Sequence, residues 1–231
     1  MKKIHNAKML EMYIKKYHID EMFSIDMKPH MELFLFDKND YICKVDEPLE
    51  YLFFFVEGKA KVYNSLSNGK SLLLRFYNPF QAIGDVEFLH LETANSNIQV
   101  VYESYCIGIS FKAIRQYALE DARFLRYACE SIGEKLLSLS KYSSINLLYP
   151  LENRLASYIL ASISSTVHNG SSTIVFEGNL TEIAELLGTS YRHLLRTLNS
   201  LRNQKAIKKS GNHYEILDLD KIEALAGDLY E

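Results

Sequence analysis

NLTEIAELLGTSYRHLLRTLNSLRNQKAIKKSGNHY, residues Asn179 to Tyr214, reads as two short helices joined by a tight turn and followed by a two-stranded ribbon. Asn179, with Glu182 three residues on, has the form of an Asn-headed capping box, which starts a helix by satisfying orphan backbone N–H groups. Ile183, Leu186 and Leu187 give that helix one apolar face, and Glu185 looks outward. Gly188 supplies the permissive backbone of a turn. Ser190 is placed to cap a second helix with the apolar stripe Leu194, Leu195, Leu198 and Leu201. The opposite face offers Tyr191, Arg192, His193, Arg196, Asn199 and Arg202, which are hydrogen-bond donors and a flat ring. Base edges and phosphates accept that chemistry. Ala206 to Ile216 then reads as a hairpin around Ser210-Gly211-Asn212, with Lys208 and Lys209 beside its tip. The pattern is that of a winged helix-turn-helix.

Charge distribution supports a nucleic-acid role for this stretch. From Thr189 to His213 there are six Lys or Arg and no acidic residue, in a chain of formal net charge -3. A basic island in a mildly acidic protein is a local footprint for a polyanion. The candidate DNA contacts are Thr189, Ser190, Tyr191, Arg192, His193, Arg196, Lys208 and Lys209. The alternative is a ligand-sensing or interaction module whose helix-turn-helix is a protein-docking surface. Such a surface has no need to exclude acids over 25 residues.

At 231 residues the chain has room for two modest domains, each with a core of its own. Its 48% hydrophobic and 24% charged content is that of an ordinary globular protein. No apolar run approaches the roughly 18 to 20 residues of a membrane span, and His5, Asn6 and Lys8 interrupt any signal-peptide core. Cys43, Cys106 and Cys129 are odd in number and widely spaced, which excludes a disulfide framework and a Cys-x-x-Cys knuckle. A reducing cytoplasm is the expected location, so the sequons at Asn169 and Asn179 are read as chance.

Three segments are expected: a β-barrel over residues 1–120, a long helix over 121–149, and the DNA reader over 150–231. The first opens with a helical lead-in over residues 1 to about 28, contacting through Met9, Met12, Tyr13, Tyr17 and Met22. Short strands follow: Leu33–Phe36, Tyr41–Val45, Tyr51–Glu57, Ala60–Leu66, Ser71–Tyr77, Ile98–Tyr102 and Ser104–Ile109. Ser67-Asn68-Gly69-Lys70 and Gly58-Lys59 mark turns between them. Tyr51 to Val56 is apolar throughout and should be buried on both faces. Aromatic residues (Tyr41, Phe53, Phe55, Tyr63, Phe76, Phe80, Phe88) either fill the barrel or line a pocket for a neutral ligand.

From about Asp121 the period becomes helical. Leu125, Cys129, Ile132, Leu136, Leu139, Ser143 and Asn146 alternate spacings of four and three, the seam of a coiled coil. A helix packed on its own domain would give a similar stripe, but a long seam between two domains favours a partner helix. The expected dimer seam is Leu125, Cys129, Ile132, Leu136 and Leu139. Pro150 then opens a helix over residues 151–164. Ser164 to Ser172 is expected to be a polar loop leading to a strand over Thr173–Phe176.

No catalytic constellation stands out, and no enzymatic activity is expected. The seven histidines include no His-x-His pair, and there is no His-Glu-x-x-His, Gly-x-Ser-x-Gly or Walker loop. His90 near Glu87 and Glu92 is the one candidate metal cluster, and a surface loop explains it more simply.

The order of barrel, seam helix and winged helix-turn-helix resembles the Crp/Fnr family of bacterial transcription regulators over nearly the whole chain. Asn68 to Leu89 resembles that family's barrel hairpin running into its Gly-Glu-Leu cassette, here Gly84-Asp85-Val86. Gly188-Thr189-Ser190 resembles its turn, and Arg196 falls on its usual recognition-helix arginine. The run Ser190 to Leu195 is similar to the YeiL branch. The resemblance implies an α+β fold with an N-terminal jelly-roll (double-stranded β-helix) sensory domain resembling cyclic-nucleotide-binding domains. It also implies a homodimer on double-stranded DNA with a near-palindromic operator, and RNA polymerase as a partner.

Two departures bear on the effector. Cyclic-AMP-binding members continue the cassette to an Arg-Ser pair that clamps the cyclic phosphate. Here Glu92 to Asn97 holds no Arg or Lys, and Asn95 stands at the clamp position without a charged fork. The candidate pocket is Gly84, Asp85, Val86, Glu87, Asn95 and Ser96, and cyclic AMP is not expected to be its ligand. Residues 1–42 contain no cysteine for the family's iron–sulfur cluster, and no haem is expected. The usual recognition-helix Arg-Glu pair is replaced by Tyr191-Arg192.

Overall fold

The computed structural model describes residues 1–66, 69–90, 93–168, 171–227 and 229, with the side chains of residues 90, 165–168, 171 and 172 left aside. Ser67 and Asn68 of the expected hairpin turn, Glu92 of the surface loop preferred over a metal cluster and Asn169-Gly170 of the expected loop therefore lie outside the described residues.

The chain begins with β1 (Lys2–Ile4) and α1 (Ala7–Tyr17). Asn6 caps α1, its Oδ1 accepting the Met9 N–H at 3.0 Å. The expected helical lead-in thus opens on a strand. Its residues give the reason: β1 is an edge strand on β2 (Met31–Phe36), where Lys2 and Lys3 pair with Asp37 and Glu32, both at 2.6 Å. Lysines on an edge deter further strand pairing. Tyr13 is buried, whereas Met12 faces solvent.

β3 (Tyr41–Cys43), β4 (Tyr51–Glu57), β5 (Ala60–Ser65), β6 (Ser71–Tyr77), β7 (Gln81–Ile83), α2 (Glu87–His90), β8 (Asn97–Val100) and β9 (Ser104–Ser110) complete the barrel. Two sheets form it, ordered β1-β2-β9-β4-β7 and β3-β8-β5-β6. The α+β fold with an N-terminal jelly-roll domain is as the resemblance implies, with the ends of the expected strands moved by at most two residues and β7 added. β4 lies inside its sheet between β9 and β7, and its residues Leu52 to Val56 are all buried, so both of its faces are covered. Phe53, Phe55, Phe76 and Phe88 fill the interior, and Phe80 stacks on Tyr17 and Phe54. Tyr41 and Tyr63 are half-buried and join hydroxyl to hydroxyl at 2.8 Å. Filling by these rings is the commoner fate of aromatic surplus.

α3 (Phe111–Tyr117) leads to α4 (Ala122–Leu148). Asp121 begins α4: its carboxylate accepts the Arg123 N–H at 3.0 Å and is held by the Ser24 N–H and hydroxyl at 2.6 and 2.8 Å. α4 carries two stripes where the sequence shows one. Phe124, Ala128, Tyr142 and Ile145 are buried against the chain itself, with Ser131, Lys135 and Ser138 half-buried in the same row. The expected seam runs beside it. Leu125 and Ile132 are half-buried, Cys129 and Leu139 are exposed, and Leu136 is 67% exposed. Asn146 leaves the seam, its amide donating to the Leu73 carbonyl at 3.1 Å.

The chain divides into two compact units, residues 1–64 with 76–139, and residues 65–75 with 140–231. In the second unit α5 (Leu151–Ser162) follows Pro150, which stands at its N-cap. Next come β10 (Ser164–His168), β11 (Ser171–Glu177), α6 (Leu180–Leu186), α7 (Tyr191–Asn203), β12 (Ile207–Ser210), β13 (His213–Ile216) and α8 (Leu219–Ala226). One antiparallel sheet runs β10-β11-β13-β12. The polar loop expected over residues 164–172 is mostly strand: Ser164 to His168 pairs with Val175 to Ser171. β11 offers a free ladder edge, and tertiary pairing outweighs the poor strand preference of serine.

Candidate nucleic-acid interface

The turn of the helix-turn-helix is built by three backbone decisions. Asn179 Oδ1 accepts the Thr181 N–H at 2.9 Å and the Glu182 N–H at 3.4 Å, which starts α6. Gly188 adopts φ +60, and a Cβ built there would lie 3.3 Å from Leu72 Cδ1. Both its conformation and its surroundings favour glycine. Ser190 Oγ then accepts the His193 N–H at 3.2 Å and starts α7.

Burial divides α7 as its sequence pattern requires. Leu194, Leu198 and Leu201 are buried, joined by Thr197, whose hydroxyl donates to the His193 carbonyl at 3.1 Å. Leu195 is half-buried. Tyr191, Arg192, His193, Arg196, Asn199 and Arg202 are all exposed. Arg202 is turned onto Asn199 Oδ1 at 2.9 Å, and His193 lies 3.3 Å from the Thr189 hydroxyl. Arg192 and Arg196 have no ion-pair partner among the described residues. Arg196 and His193 line a cleft of about 360 Å³ with Leu151, Glu152, Thr197 and Ser200.

The wing separates its two lysines. Lys208 stands opposite Glu215 on β13 and reaches its carboxylate at 3.5 Å, while Lys209 stands opposite Tyr214. Neighbouring residues of a strand point to opposite faces, so Lys208 and Lys209 do not share a surface. Salt-bridging to Lys208 and a Ser210 hydrogen bond hold Glu215 below the usual carboxylate range, the Ser210 bond counting most.

Sequence reading passed over the two residues that fix the reader from α5. Glu152 Oε1 accepts the Ser200 hydroxyl at 3.2 Å and the Gln204 amide at 2.9 Å. Arg154 donates to the carbonyls of Leu187, at 2.6 Å, and Tyr149, at 3.3 Å. Both lie in an ordinary amphipathic helix, where nothing in the local pattern distinguishes a gripping side chain from a solvated one.

In the barrel, Gly84 has φ +93, and a Cβ there would fall 2.8 Å from the Tyr51 carbonyl oxygen. The next residue, Asp85, is 2% exposed. Its carboxylate accepts the Ser131 hydroxyl at 2.7 Å and a very short bond from Lys135 Nζ, which also donates to the Ala82 carbonyl at 2.8 Å. Glu87 is buried too, and Asn95 N–H approaches its Oε1 at 3.4 Å. Burial, then the charge of Glu87, pushes the Cys43 thiol up to about 12. Val86 and Ser96 are half-buried, but the Asn95 side chain is exposed. The buried amide is Asn97, whose Oδ1 accepts the Val45 N–H at 3.2 Å. The pocket expected from sequence therefore gathers Gly84, Asp85 and Glu87 but not the side chain of Asn95. The cation beside them is Lys135, which a reading confined to the cassette does not reach. Among the described residues no group of three or more His, Cys, Asp or Glu is placed to hold a metal, and no helix is long and apolar enough to cross a membrane.

Comparison with known proteins fits this geometry. Residues 33–121 match the cyclic nucleotide-binding domain family, and residues 153–225 match the Crp-like helix-turn-helix domain. The regulatory protein YeiL of Escherichia coli O157:H7 is 30% identical over 210 residues, covering 89% of this chain and 90% of that protein. Among solved structures, a Crp/Fnr-family transcriptional regulator from Eubacterium rectale shares the fold with a TM-score of 0.71 at 16% identity, over 91% of this chain and 94% of that one. A CRP-family transcriptional regulator from Thermus thermophilus gives 0.66 at 20% identity, over 86% and 98%. With its barrel, its long helix and its winged DNA-binding domain in that order, this chain belongs to the Crp/Fnr family of transcription regulators.

Proposed function

We propose that the protein works as a homodimer that reads a near-palindromic DNA site through the exposed face of α7. The observation that carries this reading is the pair Arg192 and Arg196, exposed and without acidic partners among the described residues, on a helix capped at its first turn by Ser190. A guanidinium held in this way is free to make a bidentate contact with guanine O6 and N7 in the major groove. Arg196 is assigned to a base edge, Arg192 and Tyr191 to bases or adjacent phosphates. Thr189, Ser190 and His193 lie at the N-terminal end of α7, where phosphates approach. Lys208 and Lys209 are assigned to the backbone, one from each face of the wing.

The second copy is assigned to the outer stripe of α4. Leu136 and Leu137 are 67% and 76% exposed, an apolar surface whose burial in a parallel pair would be favourable. A twofold axis then places two α7 helices in successive major grooves, which requires a palindromic operator. Replacing half-buried Ile132 by Glu sets two like charges against each other at the seam. Sedimentation of that variant should show monomer, with loss of DNA binding. A monomeric parent protein at micromolar concentration refutes the dimer.

Cyclic AMP is not the effector in this reading. Asp85 is already committed to Lys135 and Ser131, Glu87 adds a second buried acid, and Asn95 brings no charge. A cyclic phosphate desolvated there would meet two buried acids, and the Lys135 beside them is already committed to Asp85, so an offsetting charge would have to come from another strand, as Arg75 could supply it. Calorimetric titration with cyclic AMP tests this point: micromolar binding that raises operator affinity overturns it. Selection of bound sequences from random duplex DNA tests the whole reading, with a twofold-symmetric consensus as the expected result.

A further inference from the structure

Arg154 sits on the first turn of α5, between two helix ends that have lost their own hydrogen-bond partners. Leu187 closes α6, and its carbonyl would be left open by the turn at Gly188. Tyr149 follows the last residue of α4, and its carbonyl lies where Pro150 interrupts the chain. Pro150 cannot donate a backbone N–H there. Arg154 Nη1 donates to the first carbonyl at 2.6 Å and Nε to the second at 3.3 Å. The guanidinium is planar and its donors have fixed directions, so one side chain fixes the two carbonyls relative to each other. Its positive charge also faces two helix C-termini, where the backbone dipoles favour a cation. Two residues earlier Glu152 holds the far end of α7 through Ser200 and Gln204. The first turn of α5 thus grips both helices of the reader and the end of α4.

We propose that Arg154 is a positioning residue for DNA reading, setting the angle at which α6 and α7 leave the end of α4 and hence the half-site separation that the dimer accepts. It touches no base. The inference rests on the dimeric reading above. A rigid connection should make binding sensitive to spacing, because one added base pair displaces and rotates one half-site against the other. A lysine at the same place would keep the charge but reach one carbonyl only.

The test is a series of operators, taken from the selected consensus, whose half-sites are moved apart or together by one and two base pairs. The parent protein should lose on the order of tenfold in affinity for a one-base-pair change. Arg154→Gln should bind the best operator several-fold more weakly and lose little further when the spacing changes, giving a flattened profile. Arg154→Lys should fall between the two, and serves if the glutamine variant does not fold. A merely structural role lowers the melting temperature but leaves the spacing profile sharp, and that outcome overturns the proposal. A parent protein with no spacing optimum overturns the dimeric reading instead.

Discussion

On α7 the guanidinium groups of Arg192 and Arg196 stand in solvent with no acidic partner among the described residues, whereas in the barrel the Asp85 carboxylate is 2% exposed and closed by Lys135 and Ser131. The difference follows from the medium around each charge. Water solvates an exposed cation at no cost to folding, and leaves it free for a polyanion. A buried carboxylate must be paired or lose several kcal/mol of hydration. Charge kept available for a partner is therefore found outside, and charge used for construction is found inside. The cassette that resembles a ligand site has used its acid and its nearest cation on each other.

That contrast can be broken most forcefully at Lys135. Lys135→Met leaves the Asp85 carboxylate buried and uncompensated, which should cost on the order of 3–5 kcal/mol of stability. Urea unfolding measures it, and a loss under about 1 kcal/mol would place the pair among surface ion pairs. Combining Lys135→Met with Asp85→Asn should cost less than the sum of the two single changes, since both remove one interaction.

The opposite behaviour is expected on α7. Arg196→Ala should leave stability within about 0.5 kcal/mol and lower operator affinity by about 1–3 kcal/mol. Relaxed preference at one position per half-site should accompany the loss, and competition with random duplex measures both. Equal affinities of parent and variant for operator and random DNA would remove Arg196 from base reading. Between these extremes lies Ser190→Ala, which deletes the cap of α7 and should reduce stability by about 1 kcal/mol, read from the urea midpoint.

The smallest effect is expected at Lys208, already engaged by Glu215 at 3.5 Å. Lys208→Ala should weaken binding to all sequences alike and lower the slope of log affinity against log salt by about 1. A sequence-dependent loss would move Lys208 from the backbone to a base.

The reader was legible because its signals are local. A cap, a turn glycine and a stripe of four leucines lie within a few residues of one another, and each acts on its own neighbourhood. The barrel strands with apolar alternation were legible for the same reason. β10 was not, because Ser164 to His168 has no pattern of its own and becomes a strand only when β11 is beside it. Lys135 was not, because its partner is 50 residues away and only the packing of α4 brings them together. Asn95 lies in the bend before the four-residue strand β8 and Asn97 opens that strand, a boundary that a short polar segment does not reveal.

Cys129 lies on the outer stripe of α4, exposed and unbonded. In a parallel pair of helices, the only residues that meet their own counterparts are those along the symmetry axis. A thiol at such a position comes within the roughly 4.4–6.8 Å Cα separation that a disulfide spans. In the proposed dimer, Cys129 would therefore act as a native chemical reporter of assembly. Mild oxidation of the proposed dimer should weld two copies into one species of doubled mass, reversed by a reducing agent and abolished by Cys129→Ser. The buried Cys43 and Cys106 should stay silent.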